Sequence, residues 1–294
     1  MLKLKLIGAV CVGAVVACAA GASQAQSVLG YGSGKLLLTG GVSQVEGSAG
    51  GGLTPWAVIG GYESNDQIGG NVFSTALTTQ DYSLHSTGAL IGFYDRVELS
   101  YARQTFDLRN VSSALGLGYG YKINVNTFGA KVRLIGNAVL DQDEWWPEVS
   151  VGAQMKTNDH AGLVEALGAR SGKGTDYYIS ATKLYLAQSL LLNATIRETK
   201  ANQFGILGFG GKTNADHTEF EGSAAYLLTR QIAVGAEVRT KPDDLAVAHE
   251  GSASDVFVAF AATKNISVTL ASVDLGNIVT RKQSGFYASL QAGF

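Results

Sequence analysis

The feature that most restricts this chain is a strict two-residue alternation of apolar and polar side chains, cleanest in its final segment. Ser284 to Phe294 reads S-G-F-Y-A-S-L-Q-A-G-F. Counting back by twos gives Phe294, Ala292, Leu290, Ala288 and Phe286, against Gly293, Gln291, Ser289 and Tyr287. A period of two places each set on its own face of a strand, so one face meets an apolar medium and the other a polar one. The length suits a tilted membrane-crossing strand, which takes about 9–11 residues. The last strand of a soluble sandwich would read the same way.

Other segments repeat the pattern. Val97, Leu99 and Tyr101 oppose Glu98, Ser100 and Ala102, and Phe128, Ala130, Val132 and Leu134 oppose Thr127, Gly129, Lys131 and Arg133. Comparable runs occupy Val149–Lys156, Leu190–Arg197, Ile232–Lys241 and Ile266–Ala271. The connections decide between sandwich and barrel. Short links at Asp95-Arg96, Gln188-Ser189, Thr229–Gln231 and Thr263–Asn265 alternate with long ones at Asp107–Tyr121, Thr157–Thr175, Thr199–His217 and Pro242–Ala253. Short turns on one rim and long loops on the other are the arrangement of an outer-membrane barrel.

These runs predict an all-β fold, a transmembrane antiparallel β-barrel of about fourteen strands with short periplasmic turns and longer extracellular loops. The first two strands of that count are Lys35–Ser43 and Pro55–Tyr62, and twelve is the alternative if this hairpin packs elsewhere. Both chain ends belong at the periplasmic rim, so the number is even. A short helix is expected at Ala161–Ala169. Trp56, Trp145, Trp146, Tyr94 and Phe294 fall near predicted strand ends, where amphipathic rings favour the membrane interface. A strand ending on Phe294, with Phe286 eight residues before it, resembles the C-terminal assembly signal of bacterial outer-membrane barrels.

Lys3 and Lys5, the apolar run Leu6–Ala20 and the small residues of Gly21–Ala25 form an expected signal peptide over residues 1–25, with the barrel domain over 26–294. A rival reading takes Val15–Cys18 as a lipoprotein cleavage box with a lipidated Cys18. Both cysteines, Cys11 and Cys18, lie in this leader, so cleavage after Ala25 leaves no thiol for disulfides or metal. Removing Lys3 and Lys5 from 22 basic residues leaves 20 against 24 acidic ones. That mildly acidic balance gives no reason to expect nucleic acid. The chain is 46% hydrophobic, yet no run in its mature part reaches the ~20 residues of a spanning helix.

Little in the sequence suggests chemistry. Gly205–Thr213 loosely resembles a phosphate loop, but Ile206 stands where the first glycine belongs, and the stretch reads as a flexible glycine-rich loop. Among the four histidines (His85, His160, His217 and His249), none pairs at zinc-ligand spacing. His85-Ser86-Thr87 and Asp216-His217 are the groupings that an envelope-lipid enzyme could use. Otherwise these are polar wall and loop residues, and the expectation is no enzyme, no cofactor and no metal.

The charged residues carry more. Glu98, Lys131, Arg133, Lys156, Arg197, Glu237 and Arg239, with Lys183, Glu219, Glu221 and Lys241, fall on polar faces or at strand ends. A lipid-facing Arg or Lys at the midplane costs about 2–4 kcal/mol, so these are expected to line the lumen. They either tune an aqueous route or pair with one another and fill the interior. The stretch Gln26–Gly34, or a loop folded in at Gly50-Gly51-Gly52, could plug it.

The runs GKLLLTGGVSQVEGSAGGGLTPWAVIGGY at Gly34–Tyr62 and DRVELSYARQ at Asp95–Gln104 resemble a proteobacterial envelope family, domain of unknown function 3034. TDYYISATK at Thr175–Lys183 and GAEVRTKP at Gly235–Pro242 extend the resemblance across the mature chain. It implies an envelope barrel and transfers no functional residue. The expected function is a monomeric, porin-like barrel of the Gram-negative outer membrane for passive small-solute transport. The alternatives are a structural, assembly or surface-interaction barrel without a pore, and, last, a lipid-acting barrel enzyme. Its expected partners are outer-membrane lipid, the barrel-assembly machinery and small solutes.

Overall fold

The computed structural model describes residues 35–279 and 281–294. The expected signal peptide, Cys18 and the stretch Gln26–Gly34 lie outside these. Two short strands, β1 (Val42–Ser43) and β2 (Ala49–Gly50), pair with each other alone. Six further strands follow as β3 (Ile68–Thr79), β4 (Ser83–Phe93), β5 (Val97–Asp107), β6 (Lys122–Ile135), β7 (Glu148–Asn158) and β8 (Lys173–Tyr185). The rest are β9 (Leu190–Thr199), β10 (His217–Leu227), β11 (Ile232–Arg239), β12 (Ala253–Ala261), β13 (Ile266–Ile278) and β14 (Arg281–Gly293). Strands β3 to β14 each pair antiparallel with their sequence neighbours, and β14 pairs back onto β3, which closes a barrel of twelve.

The barrel therefore has twelve strands and not about fourteen. Lys35–Ser43 and Pro55–Tyr62, expected to be its first hairpin, are not wall strands. The segment from Thr39 to Gly61 is buried on nearly every side within the lumen. Its composition explains this. Eight glycines and a single charged residue, Glu46, interrupt any alternation between Gly40 and Gly61, so the segment has no continuous apolar face to offer lipid.

In the wall the alternation decides orientation. Leu99, Phe128, Val132, Met155, Ile196, Phe220, Val256, Leu270 and Phe286 point outward and are exposed, Phe286 at 74%. A belt of that extent is untenable in water and natural against lipid. Among the described residues no helix is long and apolar enough to cross a membrane.

The expected division of the rims holds in part, since the link 136–147 is long on the short-turn rim and the link 80–82 is short on the other. Residues 94–96, 186–189, 228–231 and 262–265 make short turns on the Phe294 rim, and a longer link, 136–147, folds back there with Lys183 Nζ donating to the carbonyls of Glu144 and Trp146. The opposite rim carries the long loops, two with short helices, α1 (Arg109–Ala114) and α2 (Ala161–Ala166). Tyr94, Trp145 and Trp146 are exposed on the Phe294 rim. Trp56, expected at an interface, lies inside the barrel at 4% exposure because it belongs to the inserted segment.

Candidate functional site

The inserted segment enters from the Phe294 rim and fills the lumen as a plug. Folding into a barrel deprives its backbone of water, so its polar groups need other partners. Wall side chains supply many of them. The Pro55 carbonyl accepts from Thr195 Oγ1 at 2.9 Å and Asn193 Nδ2 at 3.3 Å. The Ala57 amide donates to Thr182 Oγ1 at 2.7 Å, and its carbonyl accepts from Ser150. Gln291 Oε1 accepts from the Ser43 amide, and Ser86 donates to the Val45 carbonyl. Trp56 Nε1 donates to Ser223 Oγ at 3.0 Å.

Charge is arranged with equal economy. Lys156 on β7, Asp176 on β8, Arg197 on β9, Glu221 on β10 and Arg239 on β11 alternate in sign across five neighbouring strands, joined in order as ion pairs. The run begins and ends on a cation. Glu46 of the plug meets both ends, pairing with Lys156 and, at 2.7 Å, with Arg239 Nη1, which closes a ring of six alternating charges. Burial alone would raise the Glu46 carboxyl, but Arg239, Lys156 and Arg197 overcome it and hold it far below the usual carboxylate range.

Two more contacts fix the plug along its length. Glu98 on β5 pairs with Lys131 on β6 at 3.1 Å. Glu98 also accepts from the amides of Ala49 and Gly60, while Lys131 Nζ donates to the carbonyls of Ala49 and Trp56. Glu237 accepts from the Leu53 amide at 2.8 Å and Thr54 Oγ1 at 2.6 Å. These contacts need the glycines between them. A Cβ at Gly51 would stand 1.8 Å from Glu237 Oε1, and one at Gly52 2.1 Å from Tyr287 Oη. The tract expected to let a chain fold inward does fold inward.

At the Phe294 rim, Arg133 Nη1 lies 2.5 Å from Asp95, and Lys35 lies 2.8 Å from Asp95 and 3.1 Å from Glu63. Burial works against the Lys35 ammonium, but Glu63 and Asp95 outweigh it and raise its pKa. Burial pushes the Glu63 carboxyl up to about 7 despite Lys35 beside it. At the far rim burial likewise pushes Glu250 up to about 7, with Lys241 pulling it down, and Glu250 Oε2 accepts from the Gln203 amide. Phe294 finishes the closure, its carbonyl accepting from the amides of Tyr62 and Gly70 at 3.0 Å each.

The structure thus places Glu98, Lys131, Arg133, Lys156, Arg197, Glu237 and Arg239 on the inward face, packed against one another and the plug and not bordering an open space. Phe286 points outward, and Phe294 lies just beyond β14. Two members of the ring, Glu46 and Asp176, are not among the residues expected to line the lumen. Asp176 could have been found by parity, since it shares the face of Tyr178, Ser180 and Thr182. Gly205–Thr213 is not a loose loop. Residues 201–211 are buried at the far rim, where Phe209 bridges to both Ser171 and Ala201.

The histidines remain apart from the lumen network. His85 sits on the outward face of β4 with Nε2 3.2 Å from Ser74 Oγ. His217 and His249 face Asp244 and Asp243 in the far-rim loops, and His160 packs edge-on to Tyr121. Among the described residues no group of three His, Cys, Asp or Glu side chains is placed to hold a metal.

Residues 39–291 match a family described as protein of unknown function (DUF3034), plug and barrel together. The chain belongs to that family. No curated protein matches it. Among solved structures it is similar to the KdgM porin, with 10% identity, a TM-score of 0.51, and coverage of 76% of this chain and 99% of that one. The KdgM porin in complex with disordered oligogalacturonate gives 11%, 0.51, 76% and 99%. The NanC porin gives 9%, 0.49, 76% and 98%. At these identities the likeness is one of fold, an outer-membrane, porin-like β-barrel.

Proposed function

We propose that this chain is an outer-membrane barrel for passive movement of small polar solutes, closed in the present state by its own plug. The observation that carries the reading is the polar, charge-complementary seam between plug and wall. A lumen meant to stay filled can be filled with apolar side chains, and replacing a buried ion pair with well-packed hydrophobic residues is often neutral or stabilising. Here the wall keeps Lys131, Lys156, Arg197 and Arg239 buried against the plug, groups that water solvates well once the plug withdraws. A twelve-strand wall encloses more space than an eight-strand one, which side chains alone just fill.

The occlusion itself favours a second reading, a barrel that conducts nothing and serves assembly or surface contact. Planar-bilayer recording separates the two. Full-length protein is expected to show rare, brief openings, and a chain lacking residues 36–62 a steady conductance. A silent bilayer from both proteins, each shown to insert, overturns transport. Outer-membrane location, the leader over residues 1–25, the monomer state, engagement of the barrel-assembly machinery, and the assembly role of Phe294 and Phe286 belong to the same proposal. Fractionation with heat-modifiability gels checks the location, and deletion of Phe294 the assembly role.

A further inference from the structure

Six connections close the rim opposite Phe294, and all six contribute to one cavity of about 520 Å³. Tyr82, Leu117, Leu163, Leu207, Leu245 and Val279 come one from each connection, in chain order. Loops at a watery rim tend to be polar, yet these bring apolar side chains from separate stretches of sequence to one cavity. Part of that surface buries itself, for Val164, Ala169, Leu207, Leu245 and Ala248 form a small core across the loops. The chamber beside it is left unfilled, and its volume falls in the range of small-molecule sites, about 300–1,000 Å³ with mostly apolar walls.

Two charged residues border the chamber. The Asp81 carboxylate is already engaged, accepting from Gln283 Nε2 at 2.8 Å. Arg281 is exposed, and no carboxylate of the described residues lies within ion-pair distance of it. A guanidinium without an ion-pair partner at the edge of an apolar space suits an apolar chain ending in an anion. Arg presents donors that match a carboxylate two at a time.

We propose that this chamber binds a single-chain alkyl carboxylate, its chain among the leucines and its head on Arg281. The site lies among the rim loops and exists whether or not the plug ever moves, so its test reads binding and not flux. Full-length protein in lipid nanodiscs is irradiated with dodecanoate carrying a terminal diazirine, and the labelled residues are mapped. Labelling is expected within residues 108–117 and 163–167, saturable and displaced by excess plain dodecanoate. Leu163→Glu is expected to reduce it by about tenfold or more. Arg281→Gln, a surface change without folding risk, is expected to weaken competition by dodecanoate about tenfold while leaving that of dodecanol within about twofold. Labelling confined to outward wall residues such as Leu270 and Phe286 overturns the site. Unchanged labelling in a compact, heat-modifiable Leu163→Glu protein does the same, and equal competition after Arg281→Gln overturns the carboxylate.

Discussion

Glu46 stands between Lys156 and Arg239, two wall residues on β7 and β11 that it joins across the lumen. Without it the five wall charges of the run from Lys156 to Arg239 carry one cation in excess. Glu46→Gln leaves those cations buried and short of a partner, and breaking a buried pair costs about 3–5 kcal/mol. The barrel ladder does not depend on Glu46, so the variant is expected to keep its compact unboiled band while its plug loosens. Trp56 reports this directly. In a Trp145→Phe, Trp146→Phe background, Glu46→Gln is expected to shift the emission to the red, and an unchanged spectrum contradicts the ring's role.

Lys131 gives a contrasting test. Lys131→Glu sets a second carboxylate beside Glu98 and removes the donor to the Ala49 and Trp56 carbonyls. The expected result in planar bilayers is more frequent opening. If Lys131 merely bordered an open conduit, the variant would alter ion selectivity at constant open probability.

Glycine at positions 51 and 52 is set by contact. Gly51→Ala drives a Cβ into Glu237, a side chain held by Leu53, Thr54 and Ser223. Overpacking of this kind costs about 1–3 kcal/mol. Limited proteolysis is expected to cut the plug faster in this variant than in the parent, with the wall strands equally resistant in both.

The seat is expected to weaken as pH rises. Glu63 has a pKa of about 7 when seated, against 4.5 when free. Between those values the seated form binds more protons than the released form, so release becomes easier as pH climbs through this window, by an amount on the order of 3 kcal/mol in full. Conductance recorded at pH 5 and at pH 8 is expected to be greater at pH 8, and Glu63→Gln to flatten the difference.

The wall was legible in the sequence because its information is local. Period-two alternation at Val97–Tyr101 or Phe128–Leu134 states which side chains face lipid, and the turn at Asp95-Arg96 states where the strand ends. The plug was not legible because its information is distant. Nothing near Glu46 marks it, since its partners lie 110 and 193 residues along the chain. Trp56 looked like an interfacial ring for the same reason, since the sequence around it says nothing of Ser223. The far-rim chamber combines one or a few residues from each of six loops, a pattern with no period at all.

The carbonyl of Phe294 holds both the Tyr62 amide, where the plug ends, and the Gly70 amide, where the wall begins. This ties the end of the plug and the first wall strand to the residue just beyond the last one. The plug precedes the whole wall in the sequence, yet its seat is made of contacts that only the closed barrel supplies.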